Sequence, residues 1–283
     1  MIVHLIDGTY ELFRHFYGAR RFRETDAPFG AVVGVLGTVV QMLEDGATHV
    51  GVATDHVIES FRNDLWPGYK TGAGIDPALW SQFHPLEDAL RALGVATWAM
   101  VELEADDALA SAAHLAAADA RVEKVCIWTP DKDLGQCVND RVVQMDRRSN
   151  QMRDAAGVRA KFGVDPQHIP DYLALVGDSA DGYPGISGCG AKTAARLIAK
   201  YGALEDFPPE VLGDRQSEAE LFKDLATLRT DAALFQNVDE IQWKGPAPNF
   251  ATLMETMDGT RLVERVAKLT GAAPAKKTKR APK

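Results

Sequence analysis

The feature of this chain that most constrains its fold is a series of short apolar runs that alternate with helical patterns. The apolar runs cover residues 2–7, 48–55, 95–100 and 122–133, with a weaker one at 142–146. The helical patterns between them cover residues 10–17, 31–43, 85–93 and 105–118. Strands that alternate with helices in this way predict an α/β fold with a mostly parallel sheet. In such a sheet the functional crevice lies beyond the carboxyl ends of the strands.

Carboxylates recur at this predicted edge. The candidates for one shared site are Asp7, Asp55, Glu104, Asp106, Asp107, Asp131, Asp133, Asp178 and Asp181. Each has a simpler explanation, such as a polar strand end, an ordinary turn or an acid that favours a helix N-terminus. Their recurrence at the same edge favours convergence. Because clustered carboxylates cannot stay ionised and dry without cations, and oxygen ligands suit hard metals, we expect two or more Mg²⁺ or Mn²⁺ ions.

The composition excludes several other classes of protein. The chain of 283 residues is 46% hydrophobic and 25% charged, as is typical of a globular protein. Its start lacks a secretory signal, and its most apolar window, residues 29–43, is shorter than the roughly 20 residues of a membrane span. Three separated cysteines and seven scattered histidines indicate neither a disulfide framework nor a zinc site. We expect a cytoplasmic protein with no membrane contact.

A change of pattern near Gly157 predicts a second, helical part. We expect residues 1–156 to form the α/β core and residues 157–270 to form a helical subdomain. Residues 271–283 are rich in alanine, proline and lysine and are expected to be a disordered basic tail, which serves either solubility or loose attraction to phosphates. No coiled-coil pattern or exposed apolar stripe is evident, so a monomer is expected.

Residues 170–202 predict a helix, a glycine hairpin and a second helix. The stretch GISGCGAKT is not a nucleotide-binding P-loop, because Ala191 separates the last glycine from Lys192. Glycines let a backbone approach a DNA phosphate, and a helix N-terminus offers free N–H groups. The candidate DNA-binding residues are Gly185, Gly188, Gly190, Lys192, Thr193, Arg196 and Lys200. The alternative is an ordinary solvated face, since the three bases lie four residues apart on one side of the helix.

Five sequence blocks resemble the 5′-nuclease (flap endonuclease) superfamily, in particular the N-terminal 5′→3′ exonuclease domain of bacterial DNA polymerase I. In order, they are LIDGTYELFRHFY, FRNDLWPGYK, ELEADDALA, TPDKDLGQCV and LVGDSADGYPGISGCGAKTAARLI. The resemblance implies a PIN-like core, a helix–hairpin–helix element that grips duplex DNA, and metal-dependent hydrolysis at 5′ ends, flaps or gaps. It places the metal ligands on the nine carboxylates, in two groups, and allows K⁺ at the hairpin. It also implies that Lys70, Arg62 and Arg14 lie near the scissile phosphate.

The chain departs from this family after Lys70. Family members usually carry another arginine within about one helical turn, at the start of a basic helical arch. Here no lysine or arginine occurs between Lys70 and Arg91, and two glycines weaken any helix. We therefore expect the arch, at about residues 70–90, to be short, mobile or absent.

The sequence therefore predicts a stand-alone 5′→3′ exonuclease or 5′-flap endonuclease that uses a two-metal-ion mechanism. One alternative is a PIN-like ribonuclease, which would share the carboxylates but would not need the glycine hairpin. Another is a non-catalytic protein that binds DNA structures. That reading would predict the loss of some metal-site acids, and all nine are present.

Overall fold

A computed structural model of the protein describes residues 1–20 and 27–271, so the predicted basic tail lies outside the described residues except for Gly271. Its strands form one sheet in the order β3-β2-β1-β4-β5-β6. The strands are β1 (Ile2–Asp7), β2 (His49–Asp55), β3 (Ala96–Met100), β4 (Lys124–Trp128), β5 (Val142–Asp146) and β6 (Gln151–Arg153).

Helices fill most of the remaining chain. The α-helices are α1 (Gly8–Arg20), α2 (Gly30–Glu44), α3 (Arg62–Leu65), α4 (Pro77–Trp80), α5 (Phe83–Leu93), α6 (Ala105–Ala118), α7 (Ala155–Phe162), α8 (Ile169–Val176), α9 (Ala191–Tyr201), α10 (Pro209–Leu212), α11 (Gln216–Ala226), α12 (Phe250–Thr256) and α13 (Thr260–Leu269). Short 3₁₀ helices cover Asp133–Cys137, Pro166–His168, Leu204–Asp206, Gly213–Arg215 and Val238–Ile241.

The predicted α/β class is confirmed. Strands β1 to β5 pair in parallel, and only the last pair in the sheet, β5 with β6, is antiparallel. The strands at the centre are buried on both faces, which explains why they appear in the sequence as continuous apolar runs. Since β1 lies between β2 and β4, the strand order reverses at the centre of the sheet, where such folds open a crevice.

The two faces of the sheet are covered by different helices. Helices α1, α2 and α5 pack on one face around Val35, Leu36 and Leu90, all fully buried. Helix α6 packs on the other face through a row of buried alanines, whose small side chains let the helix lie close to the strands. Among the described residues no helix is both long and apolar enough to cross a bilayer.

The helical part and the α/β part do not divide where the sequence predicted. Helices α7 to α11 form a separate core around Leu173 and Phe222. The chain from Leu228 onward, however, returns to the sheet, and α12 and α13 pack on α2 and α5 through residues such as Phe250. The predicted 157–270 subdomain therefore contains segments that complete the α/β core. An amphipathic pattern shows that a helix has an apolar face, but not which distant surface covers that face.

Candidate metal centre and DNA interface

The carboxyl ends of the central strands carry the first candidate ligands. Asp7 ends β1 and is 7% exposed. Its Oδ1 accepts a hydrogen bond from the backbone N–H of Tyr10 at 2.8 Å, and its Oδ2 accepts one from the Thr129 hydroxyl at 3.1 Å. Asp55 ends β2, and its Oδ1 accepts from the backbone N–H of Ala105, at the start of α6, at 2.8 Å. The end of each strand is thereby held in one place by backbone contacts.

Two groups of three carboxylates converge at this edge and share one member. Asp106, Asp131 and Asp133 can each offer an oxygen such that all three lie within 4.8 Å of one another. Asp133, Asp178 and Asp181 meet the same condition. The first group joins α6 to the turn after β4, and the second joins that turn to the loop after α8. Two cation positions that share a bridging carboxylate are consistent with this arrangement.

Asp133 provides a direct sign that a cation fits. It is 6% exposed, and its Oδ1 is buried without a hydrogen-bond partner among the described residues. A buried carboxylate oxygen without a donor is costly, and a divalent cation would satisfy it. Because all the donors in both groups are carboxylate oxygens, the set suits a hard cation such as Mg²⁺, Mn²⁺ or Ca²⁺.

The electrostatics of the metal-free centre support the same interpretation. Burial, followed by the charges of neighbouring aspartates, raises the pKa of Asp106 and Asp133 well above the ordinary range. Burial also raises the pKa of Asp7, to about 7, and the charges of Asp55 and Asp131 add to the shift. Carboxylates that resist ionisation together need a positive partner to become charged at neutral pH.

Asp107 and Arg62 lie beside the carboxylate cluster but pair with each other. Asp107 is completely buried, and both its oxygens face the Arg62 guanidinium at 2.8 Å. The same oxygens accept from the backbone N–H groups of Glu104 and Arg229, which fills the capacity of the carboxylate. Arg62, 1% exposed, also donates to the carbonyl of Leu225. Neither side chain is free for a metal or a phosphate, and the pair instead joins α6 to α11.

Lys70 does lie at the edge of the carboxylate cluster. Its Nζ is 2.7 Å from an Oε of Glu104 and 3.1 Å from an Oδ of Asp181. Although burial would raise the pKa of Glu104, the charges of Lys70 and Arg62 lower it overall, so this glutamate stays ionised. Glu104 lies outside the two groups of three and also accepts from the Ser60 hydroxyl at 2.6 Å. Within the described chain, Glu104 therefore positions Lys70.

Two other cations have clear partners. The Nζ of Lys132 lies 2.5 Å from an Oδ of Asp178. It therefore supplies positive charge to the second carboxylate group. Arg14 on α1 is held by a two-point contact with Glu11, with N–O distances of 3.0 and 2.5 Å, and its side chain is 29% exposed.

The glycine hairpin has two kinds of glycine. Gly185 is buried, has a φ of +69°, and would bring any Cβ against the backbone of Gly177, so its role is close packing of the hairpin. Gly188 and Gly190 are exposed, with open space where a Cβ would lie, and Gly190 caps α9. The remaining candidates follow on α9. Lys192, Arg196 and Lys200 are exposed, and Thr193 is half-buried.

The segment in which a reduced arch is predicted, at about residues 70–90, contains little helix before α5. Between Lys70 and α5 the chain forms a glycine turn and the four-residue helix α4. Asp76 caps α4 by accepting from the N–H of Ala78 at 2.9 Å, and Trp80 packs against Phe83 with ring centroids 5.0 Å apart. This segment packs against the start of α5.

Several residues around the centre carried no signal in the sequence. Ser60 and Tyr69 hold Glu104, Thr129 holds Asp7, and Gln144 donates to the carbonyls of Thr129 and Asp131. Polar residues of these types are common at surfaces, so only their burial distinguishes them. An isolated glutamine inside the apolar strand β5 was the one available hint.

Family models and relatives agree with this architecture. The model for the "5′-3′ exonuclease, N-terminal resolvase-like domain" matches residues 2–163, and the model for the "5′-3′ exonuclease, C-terminal SAM fold" matches residues 164–249. A 5′-3′ exonuclease from Aquifex aeolicus is 30% identical over 257 residues, which are 87% of this chain and 88% of that protein. The flap endonuclease Xni of Edwardsiella ictaluri is 36% identical over 68% of this chain and 80% of its own length.

Longer proteins and solved structures also match. DNA polymerase I of Rhizobium leguminosarum is 33% identical over 93% of this chain, but the chain spans only 28% of that polymerase. The structure of T5 5′-exonuclease with bound zinc has a TM-score of 0.60 at 18% identity, and the match covers 96% of this chain and 97% of that one. At this identity the structural likeness shows a shared fold.

Proposed function

Because this chain belongs to the 5′-3′ exonuclease family, we propose that it is a metal-dependent 5′→3′ exonuclease and 5′-flap endonuclease that hydrolyses DNA phosphodiesters. The observation that carries the proposal is Asp133, which is common to two groups of carboxylates and has a buried oxygen without a hydrogen-bond donor. Asp133 would belong to the ligand sets of two neighbouring cations, and a two-metal-ion mechanism needs two such cations.

The proposed metal ligands are the members of the two groups. Asp106, Asp131 and Asp133 would hold one ion, with Asp7 beside them, and Asp133, Asp178 and Asp181 would hold the other. When bound, Mg²⁺ or Mn²⁺ would supply Lewis-acid activation of water and positive charge opposite the phosphodiester. Asp55 is within electrostatic reach of Asp7 and would orient the start of α6 through its contact with Ala105.

Three cations would assist the reaction from fixed positions. Lys70 bridges Glu104 and Asp181 and would orient the scissile phosphate and offset the charge that develops on it. Lys132 would hold Asp178 in its ligating orientation. Arg14 is held by Glu11 and partly exposed, and it would contact the cleaved DNA strand from the side of α1. We assign no protein nucleophile, because a bound metal would supply an activated water for the attack.

The helix–hairpin–helix would bind the duplex next to the cleaved end. Exposed Gly188 and Gly190 would let the backbone approach a phosphate, and the exposed bases of α9 would contact neighbouring phosphates. We propose that backbone carbonyls of the hairpin bind K⁺. The substrates would be DNAs with 5′ ends, flaps or gaps.

The test is cleavage of labelled 5′-flap DNA, nicked duplex and a matched RNA, each with Mg²⁺ or with chelator. We expect Mg²⁺-dependent products from the DNAs, lost in Asp131→Ala/Asp133→Ala and retained in Asp140→Ala, which removes an exposed carboxylate of the same segment. Binding without cleavage in Mg²⁺ and Mn²⁺ would leave a DNA-structure binder. Cleavage of RNA alone would leave a PIN-like ribonuclease.

A further inference from the structure

A cavity of about 340 Å³ opens between β5, β6 and α7, beside the turn that carries Asp131. Its walls include Gln144, Arg153 and Lys161. It shares no lining residue with the two carboxylate groups or with the glycine hairpin. The proposed catalytic site does not account for it.

The two cations of this cavity are available to a ligand. The Nη1 of Arg153 donates to the Gln144 side-chain oxygen at 2.8 Å, and the Nζ of Lys161 lies 4.9 Å from the Phe162 ring centroid. Within the described part of the chain, neither cation forms an ion pair with a carboxylate, unlike Arg159 on the same helix, which lies 2.6 Å from Asp165. Two unpaired cations that share a cavity favour an anion.

The acid in the cavity wall is already engaged. The carboxylate of Asp146 accepts from the backbone N–H groups of Arg148 and Ser149 and from the Ser149 hydroxyl at 2.8 Å. These bonds close the β5–β6 turn. The Asp146 carboxylate therefore has a structural role in this turn. It forms no ion pair with Arg153 or Lys161 within the described part of the chain.

A glycine shapes the opposite wall. A Cβ on Gly157 would lie 2.9 Å from the Cγ of Arg153, so the arginine stem rests directly on the glycine backbone. This contact and the hydrogen bond to Gln144 together restrict the Arg153 side chain without a salt bridge. A preoriented guanidinium loses less entropy when it binds a planar or tetrahedral oxyanion.

The cavity is connected to the proposed catalytic centre by one buried side chain. Gln144 is 1% exposed, and its amide donates to the carbonyls of Asp131 and Thr129 while its oxygen accepts from Arg153. Burial and the charge of Arg153 lower the pKa of Lys161, while the charge of Asp131 acts in the opposite direction. An anion in the cavity would therefore lie close to the carboxylate cluster without sharing its cations.

We propose that Arg153 and Lys161 form a second phosphate-binding subsite, which takes a DNA backbone phosphate that flanks the one at the carboxylate cluster. The inference rests on the proposed nuclease function and names a contact that positions its substrate. A phosphate accepts paired donors from a guanidinium and a third from an ammonium. Such a contact sets the register of the strand without reading its sequence.

The first test is Arg153→Met/Lys161→Met, with Arg159→Met as the matched control on α7. We expect the double variant to raise KM for flap DNA by about tenfold, with little change in kcat. The slope of the logarithm of the DNA-binding constant against the logarithm of salt concentration should fall by about one to two, roughly one for each lost phosphate contact. The control removes one positive charge from α7, that of the paired Arg159, and should change KM by less than about twofold. Equal melting temperatures would exclude unfolding as the cause.

The second test locates the phosphate. Each backbone phosphate near the cleavage site is replaced in turn by a neutral methylphosphonate, and binding in EDTA is measured beside cleavage in Mg²⁺. We expect one flanking position whose replacement weakens binding to the wild type and to Arg159→Met, but not further to the double variant. If every replacement affects the double variant and the wild type alike, the subsite is refuted. Binding that follows the expected pattern without any cleavage would refute the nuclease and keep the subsite.

Discussion

Arg62 and Asp107 form a buried two-point ion pair, with both N–O distances at 2.8 Å and exposures of 1% and 0%. The pair lies directly beside the carboxylate cluster, one residue along α6 from Asp106. Through its contacts with Leu225 and Thr227 the guanidinium also fastens α11 to the rim of the sheet. A buried ion pair thus helps to fix the position of α11 relative to the proposed metal centre.

Loss of this pair should destabilise the protein. Asp107→Ala leaves a buried guanidinium without its carboxylate, and we expect the free energy of unfolding to fall by about 3–5 kcal/mol. The neighbour Asp106→Ala removes a carboxylate that faces other carboxylates, so it should not reduce stability in chelator. Urea denaturation of both variants in EDTA measures the difference. Similar losses in the two would contradict the structural assignment of Asp107.

The carboxylate cluster should cost stability when it holds no metal. Asp133→Asn removes a buried charge that burial and neighbouring aspartates oppose, so we expect the metal-free variant to gain about 1 kcal/mol or more. Mg²⁺ should raise the melting temperature of the wild type and have much less effect on the variant, because a ligand stabilises only the state that binds it. Asp140→Asn, at an exposed position, is the control. A variant less stable than the wild type in EDTA would contradict this prediction.

Lys70 should matter more for turnover than for DNA affinity. Lys70→Met removes the ammonium that lies 2.7 Å from Glu104 and 3.1 Å from Asp181, and we expect kcat to fall by about 10²-fold or more. Single-turnover cleavage at saturating enzyme measures this directly. An unchanged rate with weaker binding would show that Lys70 only attracts the substrate.

His15 should make the protein less stable in mild acid. Burial, followed by the charges of Arg14 and Arg147, lowers the pKa of His15 to about 4, although Glu11 lies 3.7 Å away on the same helix. Between pH 6.5 and about 4 the unfolded chain binds a proton that the folded chain does not, so stability falls as pH falls. We expect His15→Gln to reduce the loss between pH 7 and pH 5 by about 1–2 kcal/mol. The exposed His114→Gln should leave that loss unchanged.

Truncation after residue 249 should unfold the α/β core. The lost segment buries Phe250, Met254, Met257, Leu262 and Val266 against the helices of the sheet face. At roughly 1.5–3 kcal/mol for each side chain, the five together contribute about 7–15 kcal/mol, which is comparable to the net stability of a whole domain, about 5–15 kcal/mol. Circular dichroism and thermal melting of a 1–249 chain test this. A cooperative melt near the wild-type temperature would show that α12 and α13 are dispensable for the core.

Much of the architecture is determined by local sequence. Hydrophobic periodicity and turn chemistry depend on neighbours a few residues away in the chain. They predict the strand ends at Asp7 and Asp55, the bounds Ala105–Ala118 of α6, and the glycine hairpin. Parallel pairing then brings the strand ends to one edge, so the convergence of aspartates there could also be predicted. The short antiparallel β6 and the return of the chain after Leu228 could not, because distant surfaces decide both.

The roles of adjacent, chemically identical residues were decided only by the tertiary structure. Asp106 and Asp107 are indistinguishable by type and position in the sequence, yet successive helical side chains point about 100° apart. One therefore reaches Asp131 and Asp133, while the other reaches a guanidinium brought from α3, 45 residues earlier in the chain. The sequence predicts that carboxylates gather at this edge. Only the packing of α3 and α11 against α6 separates the carboxylates that can hold a cation from the one that holds the fold together.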